Sequence, residues 1–152
     1  MAVLRTQPVI DNPAIVKVAA TLPAVGAWDV PIELAPAGFN WVTLYFTYTR
    51  GAAGGAVDYQ VQTSPYAADQ VGVDDWFPQS AYAVGAVVAG VDTASAIQRE
   101  IVIYGSTAAG AETWTFGPIY LEGTVERIRV YTRESGATDD PGDCHIIGMF
   151  YN

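Results

Sequence analysis

The stretch Val57-Asp58-Tyr59-Gln60-Val61-Gln62 decides the fold, because apolar and polar side chains alternate in it at every step. Successive side chains of a β-strand point to opposite faces of the sheet, so the three apolar residues share one face and the polar residues share the other. Arg127-Ile128-Arg129-Val130 repeats the pattern with its two arginines outward. Both stretches therefore indicate strands with one face in a core and the other face away from it.

Strand-like runs recur outward from these two stretches at the spacing of roughly 8–12 residues that is typical of sandwiches, and Gly, Pro, Asn and Asp separate them. No long window has the periodicity of a helix. We therefore predict an all-β fold, a single antiparallel β-sandwich of jelly-roll or Greek-key type with eight or nine strands over residues 15–152. The strands are predicted near residues 15–20, 30–34, 40–49, 57–63, 80–88, 97–105, 112–120, 125–133 and 144–151, with a wide polar loop from Glu134 to Asp143.

The run Trp41-Val42-Thr43-Leu44-Tyr45-Phe46 is apolar or aromatic on both of its faces. We interpret it as a central strand that is covered on both sides. Large aromatic side chains dominate the cores of sandwiches, so Trp41 and Trp114 are predicted to lie in the core. Trp76 and Phe77 stand in a loop-like stretch and are the best candidates for an exposed aromatic contact.

Residues 1–14 are predicted to form an extended N-terminal arm, since Pro8 and Pro13 disfavour helix and remove donors from a strand ladder. Two interpretations of the arm stay open. It is an edge strand or a frayed end that covers the domain's own sandwich, or it is donated to a neighbouring subunit by strand addition. In the second case the contact residues are the apolar side chains Val3, Leu4, Val9 and Ile10.

The charge of the chain limits its partners. Seven basic residues face sixteen acidic ones, which gives a net charge of −9, so we expect no binding of nucleic acid. No apolar run reaches the ~18 residues of a membrane span, so no membrane partner is expected. Only 15% of the residues are charged while 51% are hydrophobic, which indicates that part of the surface is buried against a partner. We predict a closed homo-oligomer, a trimer, because closed symmetry buries such patches completely.

Residues that carry out chemistry are scarce, with one His and one Cys. Cys144 has no partner for an internal disulfide. It precedes His145 directly, and neighbours in a strand point to opposite faces, so the two cannot form a catalytic dyad. The loop Asp139-Asp140-Pro141-Gly142-Asp143 is interpreted as a solvated acidic turn, with a Ca²⁺ site as the less favoured alternative because its spacing does not match an EF-hand. We predict no catalytic residue, no cofactor, no metal site and no enzymatic activity.

The strand at 125–133 places Arg127, Arg129, Tyr131 and Arg133 in one row on its outward face. Two hypotheses explain this row. The arginines pair with the chain's own surplus of acidic residues on adjacent strands, or they contact an acidic partner surface, since Arg and Tyr are enriched where proteins meet.

With a Pro-containing arm, a single acidic Ala/Gly-rich sandwich and no catalytic set, the chain resembles the small jelly-roll decoration, or cement, proteins of tailed-bacteriophage capsids. The stretch Leu44-Tyr45-Phe46-Thr47-Tyr48-Thr49-Arg50-Gly51-Ala52-Ala53-Gly54-Gly55 also looks like a hairpin of phage structural proteins. This resemblance covers the whole chain in architecture. It implies a trimeric virion protein on the capsid exterior that clamps neighbouring subunits of the major capsid protein, and it carries over no catalytic residue. The alternatives are a phage head-fibre, tail or baseplate module and, from a different class, a carbohydrate-binding β-sandwich module.

Overall fold

The structure is a computed structural model, and it describes residues 12–24, 26–67, 76–79, 81–83, 87–88, 91–92, 96–98, 101–104, 110–121, 125–135 and 140–152. Within these residues the chain forms β-strands and no helix. The strands are β1 (Ala14–Thr21), β2 (Trp41–Thr49), β3 (Ala56–Ser64), β4 (Phe77–Pro78), β5 (Ala81–Ala83), β6 (Val87–Val88), β7 (Val91–Asp92), β8 (Ala96–Gln98), β9 (Ile101–Tyr104), β10 (Glu112–Tyr120), β11 (Arg127–Glu134) and β12 (Asp143–Tyr151).

Two antiparallel sheets pack together as a β-sandwich, which confirms the predicted fold class. The first sheet has the order β1-β12-β2-β10, so no two neighbours in it are consecutive along the chain. In the second sheet β3 pairs with β11 on one side, while β4 and β9 share its other side. Two short pairs, β5 with β8 and β6 with β7, complete the described strands.

The core lies between the two sheets and follows the alternation of the sequence. On β2 the buried side chains are every second residue, Val42, Leu44, Phe46 and Tyr48, and on β3 they include the apolar residues of the deciding stretch. Phe46 is the centre of an aromatic cluster, with its ring 4.5 Å from that of Tyr59 and 5.1 Å from that of Trp114. The core consists of Ala14, Val16, Leu22, Val42, Leu44, Phe46, Tyr48, Val57, Tyr59, Val61, Ile119, Leu121, Ile128, Val130, Cys144, Ile146 and Phe150.

Trp114 packs against this core, as predicted, but the prediction for Trp41 is wrong. Trp41 lies on the opposite face of β2 from Val42, in ring contact with Tyr120 at 4.7 Å. The reason is that successive side chains of a strand point to opposite faces of the sheet. Since Val42 and Leu44 point into the sandwich, every odd-numbered side chain of β2 points outward.

The strand predicted near 30–34 is also wrong. Only Leu34 pairs, in an isolated bridge with Ile128 in which each backbone N–H donates to the other carbonyl at 2.9 Å. Pro31 lacks a donor and Val30 is 86% exposed, so the segment follows β11 without forming a ladder. The predicted strands at 80–88 and 97–105 are each divided between two short strands, β5 and β6 in one and β8 and β9 in the other.

One further prediction, the contact residues of the N-terminal arm, falls outside the described residues. Val3, Leu4, Val9 and Ile10 lie outside them, so the arm keeps both of its interpretations. The described chain begins at Asn12, whose side chain donates to the Phe150 carbonyl at 2.7 Å and accepts from the Phe150 N–H at 3.1 Å. The arm therefore joins the sandwich beside the end of β12.

Both edge strands of the first sheet are irregular. β1 shifts its register against β12 twice, on either side of Lys17. β10 shifts once against β2, at Gly117 and Pro118, where Gly117 has a φ of +123° that favours glycine and Pro118 has no N–H to donate.

Candidate functional site

The outer face of the first sheet presents large uncharged side chains in neighbouring rows. The pairing register aligns Tyr151, Trp41 and Tyr120 in one row across three strands. A second row aligns Ile15, Ile147 and Tyr45. We call this surface the aromatic face and define it by Ile15, Trp41, Thr43, Tyr45, Thr47, Thr113, Thr115, Tyr120, Ile147, Met149 and Tyr151.

Several large side chains of the aromatic face remain well exposed. Tyr45, Tyr120 and Ile15 are exposed to 43%, 47% and 54%. Within the described residues this face contains no Asp, Glu, Lys or Arg until Asp143, at the far end of β12. A contiguous exposed surface of Tyr, Trp, Met and Ile without charge is typical of the centre of a protein–protein interface.

The outer face of the second sheet carries the predicted arginine row, and acidic residues of the same chain pair with it. Arg133 donates from Nε and Nη2 to Asp58 Oδ2 at 2.9 and 2.7 Å. Nη1 of Arg127 lies 3.2 Å from Glu33 Oε2, and Nη1 of Arg129 lies 3.3 Å from Glu33 Oε1. These contacts are those of the first hypothesis, pairing with the chain's own acids, although Glu33 comes from the segment before β2 and not from an adjacent strand.

Tryptophan rings hold the same guanidinium groups by cation–π contact. The guanidinium carbon of Arg129 is 3.9 Å from the ring centre of Trp76, and that of Arg127 is 4.8 Å from it. Arg133 lies 4.2 Å from the ring centre of Trp28. Trp76, predicted as an exposed contact, is thus partly covered, whereas Phe77 is exposed as predicted.

Besides the arginine row and Trp76, the polar residues Asp58, Gln60 and Gln62 of this second surface had a signal in the sequence, whereas Trp28 and Glu33 had none. Gln60 and Gln62 belong to the deciding stretch, and the register sets them opposite Tyr131 and Arg129. The sequence did not indicate Trp28 or Glu33, because the segment that holds them forms no ladder. We call the surface formed by Trp28, Glu33, Asp58, Gln60, Gln62, Trp76, Arg127, Arg129, Tyr131 and Arg133 the arginine face.

A buried carboxylate connects the two sheets. Glu134 was predicted to begin a polar loop, but it is the last residue of β11 and is fully buried. It accepts hydrogen bonds from the Tyr48 hydroxyl at 2.8 Å, the Ala56 N–H at 2.8 Å and the Gly142 N–H at 2.9 Å. Burial and the adjacent Glu134 carboxylate raise the pKa of Tyr48 above its ordinary value, so Tyr48 stays a hydrogen-bond donor.

Cys144 and His145 lie on opposite faces of β12, as predicted, with Cys144 buried in the core. Asp139 lies outside the described residues, and Asp143 accepts a hydrogen bond from the Thr21 hydroxyl at 2.6 Å. In the part of the chain that the structure describes, no group of three or more His, Cys, Asp or Glu side chains is arranged to hold a metal ion. The same residues include no helix of the length and apolarity that a membrane span requires.

Burial raises the pKa of the Cys144 thiol to about 12, and we predict that the folded protein resists thiol reagents. At pH 8 a shift from 9 to about 12 lowers the reactive thiolate about 1,000-fold. Titration with a chromogenic disulfide reagent should therefore show reaction at least a hundredfold slower in buffer than in denaturing urea. Equal rates in the two solvents would contradict the buried position.

No family model, no curated protein and no solved structure matches this chain. The two sheet faces are therefore interpreted from their own residues.

Proposed function

We propose that the protein is a structural protein of a virion, a capsid decoration protein that acts by contact and forms a homo-oligomer through its aromatic face. The observation that carries this proposal is the exposed and uncharged surface of aromatic and aliphatic residues on one side of the sandwich. The resemblance to decoration proteins supplies the capsid as the setting and a trimer as the expected assembly. The major capsid protein is the second partner.

Electrostatics favours contact between copies at this face. Each copy carries a net charge of −9, so two copies repel each other wherever their acidic surfaces approach. Among the described residues of the four strands, the acidic side chain on the aromatic side of the sheet is Asp143 at one end, so burial of apolar surface between two copies brings few like charges together there. Four strands about 4.8 Å apart and eight or nine residues long span roughly 19 by 30 Å, an area of the order that a standard interface covers on each partner, about 800 Å².

The predicted N-terminal arm is also expected to take part in this assembly. Asn12, the first described residue of the predicted arm, is bound to the backbone of Phe150, next to the row of Tyr151 and Trp41. An apolar extended segment that starts there is well placed to reach a neighbouring copy. We therefore favour donation of the arm to a neighbour over cover of its own sandwich.

We predict that Tyr45→Glu separates the oligomer into monomers. The change places a carboxylate at the centre of the aromatic face, where burial against another copy leaves it without a partner, at a cost of several kcal/mol. Light scattering at micromolar concentration should show an oligomer for the wild type and 16.2 kDa for the variant. The matched control is Val30→Glu, which adds the same charge at an exposed apolar residue outside this face and should leave the oligomer intact.

A wild type that remains a 16.2 kDa monomer over the whole concentration range would contradict self-association.

The location on a capsid is tested by a separate measurement, immunogold labelling of purified virions from the source of the sequence. Labelling over the whole head is expected. Labelling confined to the tail or baseplate would instead favour the module of those parts, and complete absence from virions would reject the virion setting.

A further inference from the structure

A groove of about 330 Å³ lies on the arginine face, on the opposite side of the sandwich from the aromatic face. Its lining consists of Trp28, Gln60, Gln62, Arg129 and Tyr131. Ligand sites of proteins have volumes of about 300–1,000 Å³ and combine aromatic walls with a few well-placed polar groups, so this groove has the size for a short segment of a ligand. The hydrogen-bonding groups of its lining indicate which kind of ligand fits.

Two aromatic rings form a corner of the groove. The ring centres of Trp28 and Tyr131 lie 6.0 Å apart with their planes at 73°, so two ring surfaces of different direction border it. The guanidinium carbon of Arg129 is 4.9 Å from the ring centre of Tyr131, and that of Arg133 is 4.2 Å from the ring centre of Trp28. Rings held by such contacts lose little freedom when an apolar ring of a ligand packs against them.

The acceptors of the groove are already engaged within the protein. Arg129 Nε donates to Gln62 Oε1 at 2.8 Å, and Gln62 Nε2 in turn donates to Gln60 Oε1. These two bonds orient both carboxamides, and each carboxamide oxygen accepts one of them. A ligand that brings many donors of its own therefore finds few open acceptors here.

The donors of the groove, in contrast, are open. Within the described residues, neither Gln60 Nε2 nor Arg129 Nη2 has a hydrogen-bond acceptor, and the Tyr131 hydroxyl has no hydrogen-bond partner. Half-buried groups of this kind bind water in the free protein, so a ligand that displaces the water must bring acceptors in its place. The groove thus fits a ligand that is rich in acceptors and poor in donors.

We propose that this groove binds a proline-rich peptide in the polyproline II conformation. Such a peptide exposes its backbone carbonyls as acceptors, and its prolines have no N–H to donate. The pyrrolidine rings pack in the corner of Trp28 and Tyr131, since aromatic-lined grooves are the usual receptors of this conformation. The peptide carbonyls accept from Gln60 Nε2, Arg129 Nη2 and the Tyr131 hydroxyl.

A sugar fits this groove less well, because every hydroxyl group of a sugar brings a donor along with its acceptor. The peptide has a second advantage. A polyproline II segment is already extended before it binds, so it loses little conformational entropy on a groove whose rings and carboxamides are held in place. The proposal depends neither on the oligomer nor on the virion setting.

Isothermal titration calorimetry tests the ligand class. The probes are decaproline with capped ends, a capped Gly/Ser peptide of the same length, and maltotriose. We expect decaproline to bind at least about tenfold more tightly than the Gly/Ser peptide, which is flexible and carries an N–H at every residue. Maltotriose should bind more weakly than decaproline by a similar factor.

Three outcomes would overturn the proposal. The first is an absence of decaproline binding at millimolar concentration. The second is equal affinity for the Gly/Ser peptide, which would show that the groove does not select the polyproline II conformation. The third is binding of maltotriose at least as tight as that of decaproline, which would assign the groove to saccharides.

The variant Gln60→Glu tests the open donors. Its carboxylate still accepts from Gln62 Nε2, but the amide nitrogen is lost, so decaproline should bind at least about tenfold more weakly. The matched control is Gln79→Glu, which makes the same chemical change just after β4, outside the groove lining, where Gln79 Nε2 donates to Thr63 Oγ1 at 2.8 Å. This control should leave the affinity unchanged.

The variant Trp28→Ala tests the aromatic wall and should weaken decaproline binding at least about tenfold. Thermal unfolding identifies a Trp28 variant that fails to fold, in which case Gln60→Glu alone decides. Unchanged binding of decaproline by either variant in its folded form would place the peptide elsewhere and overturn the inference.

Discussion

Replacement of Glu134 by alanine is expected to lower the free energy of unfolding by about 3–5 kcal/mol, because three hydrogen-bond donors lose their acceptor in the protein interior. Glu134 is fully buried at the end of β11. Its carboxylate accepts from Tyr48 on β2, from Ala56 at the start of β3 and from Gly142 just before β12. Alanine leaves these three donors without their acceptor in a place that water reaches poorly, and each unsatisfied group costs about 1–3 kcal/mol.

Urea denaturation measures this loss in the free energy of unfolding. Two milder variants are expected to lose less. Glu134→Gln keeps the volume but turns one acceptor oxygen into a donor, so the loss should be smaller than for alanine. Tyr48→Phe removes one hydrogen bond from the network and should cost about 1–2 kcal/mol. A Glu134→Ala protein within 1 kcal/mol of the wild type would contradict the network.

Replacement of Arg133 by glutamine is expected to cost about 3 kcal/mol, at the low end for a broken buried ion pair because the Arg133 side chain is partly exposed. Its partner Asp58 is 2% exposed and accepts both of its described hydrogen bonds from Arg133. The other carboxylate oxygen, Asp58 Oδ1, has no hydrogen-bond partner among the described residues. Loss of the Arg133 guanidinium therefore leaves the Asp58 carboxylate buried without its ion-pair partner.

A double-mutant cycle with Asp58→Asn separates the pair from the loss of packing on Trp28. We expect Arg133→Gln to cost clearly less in the Asp58→Asn background than in the wild type. The hypothesis that the arginine row mainly contacts an acidic partner predicts the opposite, attachment lost and stability nearly unchanged. Circular dichroism melts of the two single variants and the double variant decide between them.

The alternation of apolar and polar residues was sufficient to predict the fold class but not to predict every strand. The stretch 57–62 forms part of β3 as predicted, because one of its faces is buried and the alternation records that burial. Val30, Ile32 and Leu34 alternate in the same way, yet only Leu34 pairs. Alternation reports which side chains are apolar. It does not report whether a neighbouring strand is present to accept the backbone hydrogen bonds.

The candidate surfaces were harder to predict than the fold. A run such as Trp41–Phe46 is apolar on both faces, and the sequence alone does not say which of them the second sheet covers. The structure covers the face of Val42, Leu44 and Phe46 and leaves the other face open, and that open side is the aromatic face. Contacts such as Arg129 with Glu33 join residues far apart in sequence, so no local pattern indicates them.

The irregular edges of the first sheet bear on how far an assembly of this protein can grow. Another chain extends a sheet only where it finds a straight row of unpaired N–H and C=O groups. The register shifts beside Lys17 on β1 and at Gly117 and Pro118 on β10 interrupt that row on both sides. The described edges of the first sheet thus offer no straight row from which copies joined by this sheet's face could polymerise, and we expect concentrated protein to stop at a fixed number of subunits instead of forming fibrils.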